Sequence, residues 1–224
     1  MRGDDRARVV LTPIATPLPL TFVGLLLAST VLSGLELGWI PKSQVHETGW
    51  VLIAVPIPLQ LVAAVFGFHG RSASAATGSS VLAAAWLGTA LALINAHPGE
   101  PVPSQATAML AFGVGAALLV PALSDAHGGS LLPAGVLAFA ACRFVLTGIT
   151  GLTHSGGLKT ATGVVGCAVA AAALYAALAL EVEGSRSRGM LPTFRGVDSR
   201  RGLTAPLDEQ VVALENEAGV RKNL

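Results

Sequence analysis

Arg143 is the residue in this chain whose type and position could do chemistry. It sits in the run Leu137-Ala138-Phe139-Ala140-Ala141-Cys142-Arg143-Phe144-Val145-Leu146, near the middle of a long apolar stretch. Placing a guanidinium at that depth in a bilayer costs roughly 2.5 to 3.5 kcal/mol even on insertion scales. The side chain is too deep to reach the headgroups easily. It therefore needs an acidic partner, backbone carbonyls or a wet cavity. Its planar fork of N–H donors matches a carboxylate. One reading is an anion-binding point on a permeation path. The other is a structural ion pair, for which Glu36, Asp125 and Glu181 are the available acids. All three lie near the ends of apolar stretches, so any such pair is expected to be poorly matched in depth.

The remaining polar residues carry weaker signals. Pro56 and Pro58 interrupt a helix and free carbonyls near Leu52 and Ala54, because proline has no N–H to give. Such a break either lines a cavity or is a plain kink. Gln60 follows it, as helix–helix glue or as a substrate contact. Thr77, Ser79 and Ser80 polarise one helix end, and back-bonding to their own helix is the default. His46, His69, His97, His127 and His154 all fall at the ends of apolar stretches, a normal interfacial place. Cys142 and Cys167 lie inside such stretches, without ligand spacing for zinc, and read as small packing residues. No nucleophile–base–acid set, phosphate loop or metal motif occurs, so neither an enzyme nor a cofactor is expected. No basic domain with interleaved aromatics suggests nucleic acid.

The elements that must hold these residues are helices. Six stretches, at about 17–40, 49–68, 75–95, 104–124, 131–153 and 158–182, are each long enough to cross a bilayer, which takes about 20 apolar residues. Lipid satisfies no backbone polar group, so each must be helical. Between Pro17 and Leu180 only eight side chains are formally charged, mostly where one stretch gives way to the next. The mean hydropathy of +0.66 agrees. The chain reads as an all-α membrane protein, a bundle of six transmembrane helices. Residues 1–16 precede the bundle, 17–182 form it, and 183–224 make a polar tail. The first stretch is not expected to be a cleavable signal, since it runs past 20 residues and five more follow. Short connections make neighbouring helices antiparallel.

Basic residues set the orientation. With the N-terminus in the cytoplasm, eleven Lys and Arg residues face inward and two, Lys42 and Lys159, face outward. Both termini are thus expected to be cytoplasmic. The Arg-rich segment from Arg186 to Arg201 would attract anionic lipid. Pro206 to Ala218 is either a short docking helix or a frayed tail. Gly34 with Gly38, and Gly24 with Ala28, are small-residue pairs that would permit close helix contact.

The first stretch opens Ala15-Thr16-Pro17-Leu18-Pro19-Leu20-Thr21, which resembles the N-P-A-P-L-G-L motif of the YaaH/SatP acetate and succinate transporters. Gln60 in Leu59-Gln60-Leu61-Val62-Ala63-Ala64 is similar to that family's Q-I-F-A-G run, and Trp86 falls at its S-Y-G-x-F-W segment. Gly163, Gly166, Tyr175, Arg188 and Leu191-Pro192 fall on its closing G-W-x-G … Y-L-A … G-R-x-V-L-P pattern. The resemblance covers roughly 16–192.

The resemblance implies a six-helix bundle with a pore in each protomer, assembled as a homohexamer in a bacterial plasma (inner) membrane. It implies passage of small carboxylates, acetate and succinate, together with protons. Carried over by position, Thr16, Thr21 and Gln60 would contact substrate, and Leu25, Leu82 and Phe139 would form the apolar constriction. Arg143 lies four residues after Phe139, on the same helix face. It would join the substrate contacts about 5–6 Å from the narrowest point. The departures are Thr16 for Asn, Thr21 for Gly, Leu82 for an aromatic, Gly67 and Leu180 for acids, and Arg143 itself. Two other readings stay open. One is a pore for small neutral solutes such as ammonia, urea or amides. The other is a non-transporting scaffold that works through its tail.

Overall fold

Without water to bond the backbone, each apolar run closes its hydrogen bonds internally, and every long element among the described residues is a helix. The computed structural model describes residues 15–97, 104–185 and 191–194. In chain order α1 is Leu18–Glu36, α2 Val45–Ala54, α3 Pro56–His69, α4 Ala73–Ile94, α5 Gln105–His127, α6 Leu131–Thr153 and α7 Gly156–Ser185. A single turn at Lys42–Gln44 leads into α2, and α2 with α3 makes one span, Lys42–His69. Among the described residues six helical segments are long and apolar enough to cross a membrane.

The first helix stops at Glu36, short of the expected residue 40. Gly38, at φ +77°, reverses the chain there, in a left-handed conformation that glycine adopts without a Cβ penalty. The Ile40 N–H then returns to the Gly34 carbonyl at 3.0 Å, and the Ile40 side chain covers Gly34. Among the described residues Gly34 and Gly38 therefore cap α1, and the Cβ position of neither meets another helix. The second span starts earlier than expected because its helix continues out of the hydrocarbon-length part into Lys42–Thr48.

The break in that span is confined to Val55, at φ −119° and ψ −72°. Pro56 opens α3, where a missing N–H costs nothing. The backbone beside the break does not border the 740 Å³ cavity that Arg143 lines. The tail helix expected at Pro206 to Ala218 lies outside the described residues. Of the tail, the Leu191 side chain packs on the core, and the Tyr175 hydroxyl donates to the Pro192 carbonyl at 2.8 Å.

The spans pack as a closed ring, with α1 against α3, then α3 against α4, and so on through α5, α6 and α7 back to α1. α2 rests on α4. Phe22, Leu25, Leu82, Trp86, Leu118, Leu137, Phe144 and Val169 fill the interior. Val62, Phe68, Val120, Leu123 and Leu178 point outward, where lipid would cover them. Lipid supplies no hydrophobic force between helices, so close packing must hold them. α3 and α4 show how close it becomes. A Cβ added at Gly67 would sit 2.6 Å from the Ala76 backbone nitrogen. The acid that the resemblance implies at this position has no room, which accounts for one of the departures.

Candidate functional site

Glu36 ends α1, and the helical tilt of Cα–Cβ bonds toward the N-terminus aims its carboxylate back into the bundle. Arg143, the thirteenth residue of α6, extends its long arm to meet it. Arg143 Nη2 donates to Glu36 Oε2 at 3.2 Å. The Arg143 side chain is 2% exposed and that of Glu36 16%. This corrects the expectation that no acid matches the depth of Arg143. Of the other two acids, Asp125 takes a hydrogen bond from Ser74 and Glu181 is exposed.

Two glycines of α7 make the pairing possible. A Cβ on Gly163 would press on Leu37 and on Glu36 Cβ, at 2.7 and 3.2 Å. A Cβ on Gly166 would overlap Ser33 Oγ and lie 2.6 Å from Arg143 Nε. The closing glycine pattern thus clears the space in which α1 and the guanidinium meet. Gly166→Ala should lower stability by about 1–3 kcal/mol, the usual cost of overfilling a packed site. Gly135→Ala, with nothing within 4 Å of the added carbon, should be neutral or stabilising. Thermal unfolding of the two variants in detergent checks the contrast.

Above the pair opens a cavity of about 740 Å³. Its wall includes Leu32, Glu36, Arg143, Phe144 and Thr147, and toward its mouth Lys42, His46, His97, His154 and Lys159. Cationic side chains therefore outnumber Glu36 around this space. Behind Phe144 stands Trp86, its ring centroid 5.2 Å away at an interplanar angle of 34°. Both rings are buried.

Thr21 and Gln60 belong to a second polar cluster, toward the opposite end of α1. The Thr21 hydroxyl bonds to the Pro17 carbonyl at 3.2 Å and to the Ser79 hydroxyl at 2.7 Å. Gln60 Nε2 donates to the Thr21 carbonyl at 3.0 Å, while its Oε1 is buried without a partner among the described residues. Gln60 fits there because Gly24 has no side chain: a Cβ would be 2.7 Å from Nε2. Ser80 back-bonds to Ala76 as expected, but Ser79 reaches across to α1. Thr16 is exposed just ahead of α1.

Between the two polar regions lie Leu25, the eighth residue of α1, Leu82, the tenth of α4, and Phe139, the ninth of α6. Leu25 is 1% exposed and Leu82 0%, with Phe139 packed on the same core. None of the three borders the cavity, nor do Thr16, Thr21 and Gln60. The structure therefore groups Arg143 with the cavity, Thr21 with Gln60, and Leu25 with Leu82 in the core between. Cys142 is exposed on α6 and Cys167 half-buried on α7. Sequence reasoning did not foresee three residues of this arrangement. Glu36 was set aside on depth, Ser79 was assigned to its own helix, and Phe144 gave no signal beyond lying next to Arg143.

A ring of six apolar spans, with a buried guanidinium at the floor of a cavity, defines a polytopic helical membrane protein with a charged interior. Its fold is that of the bacterial acetate channel SatP, with a TM-score of 0.70 over 81% of this chain and 99% of that one, at 18% identity. No protein-family description matches the chain, and no curated protein sequence does.

Proposed function

We propose that this chain is a membrane channel or transporter for small carboxylates, acetate first and succinate within the same class. The observation that carries the reading is Arg143, a buried guanidinium facing a 740 Å³ cavity inside a fold shared with an acetate channel. A cation in a site of low dielectric holds an anion far more strongly than it would in water. The apolar wall beside it suits a short alkyl chain.

In this reading the cavity faces the outside and both termini face the cytoplasm, which agrees with the distribution of basic residues. A carboxylate enters past Lys42 and Lys159 and meets Arg143. It then crosses the layer of Leu25, Leu82 and Phe139, which lie at comparable depths on three parallel helices. It leaves past Thr21, Gln60 and finally Thr16. The constriction holds back water and ions, as apolar gates do. A proton accompanies the anion, since a bare negative charge would cross that layer only at great cost. The outward apolar faces leave room for a homo-oligomer, a hexamer on the resemblance, in a bacterial plasma membrane.

One observation favours a second reading. Glu36 neutralises Arg143 in this structure, and a neutralised site suits small uncharged solutes such as urea.

Uptake of labelled acetate into proteoliposomes, set against protein-free vesicles, decides between them. Saturable uptake, stimulated by an inward proton gradient and competed by propionate, is the expected result. Assembled protein that takes up no acetate above the protein-free level, but swells vesicles in urea, would establish the neutral-solute pore instead.

A further inference from the structure

We infer that Glu36 is the proton carrier of this transporter: it occupies Arg143 as an internal carboxylate, and a substrate carboxylate takes its place only when Glu36 accepts a proton. The inference rests on the carboxylate reading above and assigns the residue that carries its proton. Three observations carry it. The first is exchangeability. Glu36 and Arg143 are joined by one hydrogen bond of 3.2 Å, longer than the 2.7–2.9 Å typical of charge-assisted bonds. The second is spare capacity. Arg143 Nε is buried with no hydrogen-bond partner among the described residues, so the fork has a donor edge that Glu36 does not use. The third is access. Both side chains border the same cavity, so an incoming anion reaches the guanidinium from the side on which Glu36 sits.

Charge balance then sets the order of events. Guanidinium and carboxylate together are neutral. Lys42 and Lys159 stand toward the mouth, so a second carboxylate at the guanidinium itself would set two anions against the one buried cation, and an uncompensated buried charge is strongly unfavourable. A proton from the cavity solution on a Glu36 carboxyl oxygen removes the excess. The Arg143 N–H that pointed at Glu36 Oε2 then turns to the substrate oxygen. On onward release Glu36 passes its proton to the substrate carboxylate, the neutral acid departs toward the apolar layer, and the Glu36–Arg143 pair re-forms. No bond other than O–H is made or broken, and one proton moves with each carboxylate.

Other groups around Glu36 could carry the proton instead. Arg143 faces it from α6 and Lys159 from α7, while Lys42, His46, His97 and His154 stand along the cavity wall. A histidine carrier would make a different prediction from Glu36.

The test is calorimetric titration of acetate into the purified full-length protein, in two buffers of different ionisation heat, above the pH at which Glu36 titrates. The parent should take up about one proton per acetate bound, and its apparent affinity should fall about tenfold for each further pH unit. Glu36→Gln keeps the size and the hydrogen-bonding oxygen but cannot titrate. It should bind acetate with about zero proton uptake and a flat pH dependence. A parent that binds acetate without taking up a proton overturns the inference and leaves carboxylate transport standing, and that measurement needs no variant to fold. A Glu36→Gln protein that still takes up about one proton per acetate places the carrier elsewhere and also overturns it. An assembled parent that binds no acetate overturns both the inference and the reading beneath it.

Discussion

Arg143→Gln should reduce acetate uptake by roughly a hundredfold, and the loss should persist when Glu36 is neutralised at the same time. Arg143 is the one buried cation among the described residues that borders the cavity floor. Truncating one partner of a buried, hydrogen-bonded charge contact costs about 2–5 kcal/mol. A loss near 3 kcal/mol corresponds to roughly a hundredfold. The single variant also leaves the Glu36 carboxylate buried without its cation, a defect worth about 3–5 kcal/mol of stability where the acid stays charged. Its unfolding temperature in detergent should fall.

The double variant Glu36→Gln with Arg143→Gln removes that defect and should recover most of the lost stability. It should recover none of the uptake. The two measurements together distinguish a substrate contact from a structural pair. A pair that only holds α1 to α6 would give back assembly and uptake together once both charges are gone.

Leu82→Ala should raise flux roughly tenfold and admit longer dicarboxylates, if flux is limited by the apolar layer between the two polar regions. Leu82 is 0% exposed and belongs to the same core as Leu25 and Phe139. Cutting a buried leucine to alanine removes packing and leaves a void, at a cost of about 2–5 kcal/mol. That cost alone would say nothing about transport, so a matched control is needed. Leu118, on α5, is also 0% exposed, but it is not part of the proposed constriction. Leu118→Ala should lower the unfolding temperature by a similar amount and leave the ratio of succinate to acetate uptake unchanged. Equal changes in both variants would mean that the Leu25, Leu82 and Phe139 layer does not set the rate.

The resemblance and the fold support each other through particular residues. Gly163 and Gly166, read first as motif positions, are the points where α7 admits Glu36, Leu37 and the Arg143 guanidinium. Gly24, read first as half of a small-residue pair, and Gln60, read from the motif, pack on one another. Tyr175 and Pro192 hydrogen-bond across an interval of 17 residues. Each pairing explains why those residue types go together in this chain. The departures have their own logic. Gly67 lies against the α4 backbone, where no acid would fit. Arg143, which the resemblance does not account for, is accompanied by Glu36 and by the space above Gly166.

The sequence by itself determined the six helical spans, because the bilayer punishes every unpaired backbone group and so converts apolar length directly into helix. It also placed the interruption of the second span at Pro56 and Pro58, where two prolines remove two N–H donors within three residues, whereas the single Pro121 is carried inside α5. It marked Arg143 as anomalous, because the cost of a mid-bilayer charge does not depend on its neighbours. Only the tertiary structure decided what answers that charge. Glu36 is 107 residues away in the chain, and its reach depends on where α1 stops, how its side chain tilts and how much room α7 leaves. The same holds for Ser79, which could bond to its own helix or to Thr21, and for Gly34 and Gly38, which could pack a helix or cap one. In each case two arrangements have nearly equal local energies. The contact between helices, which no local pattern encodes, makes the choice.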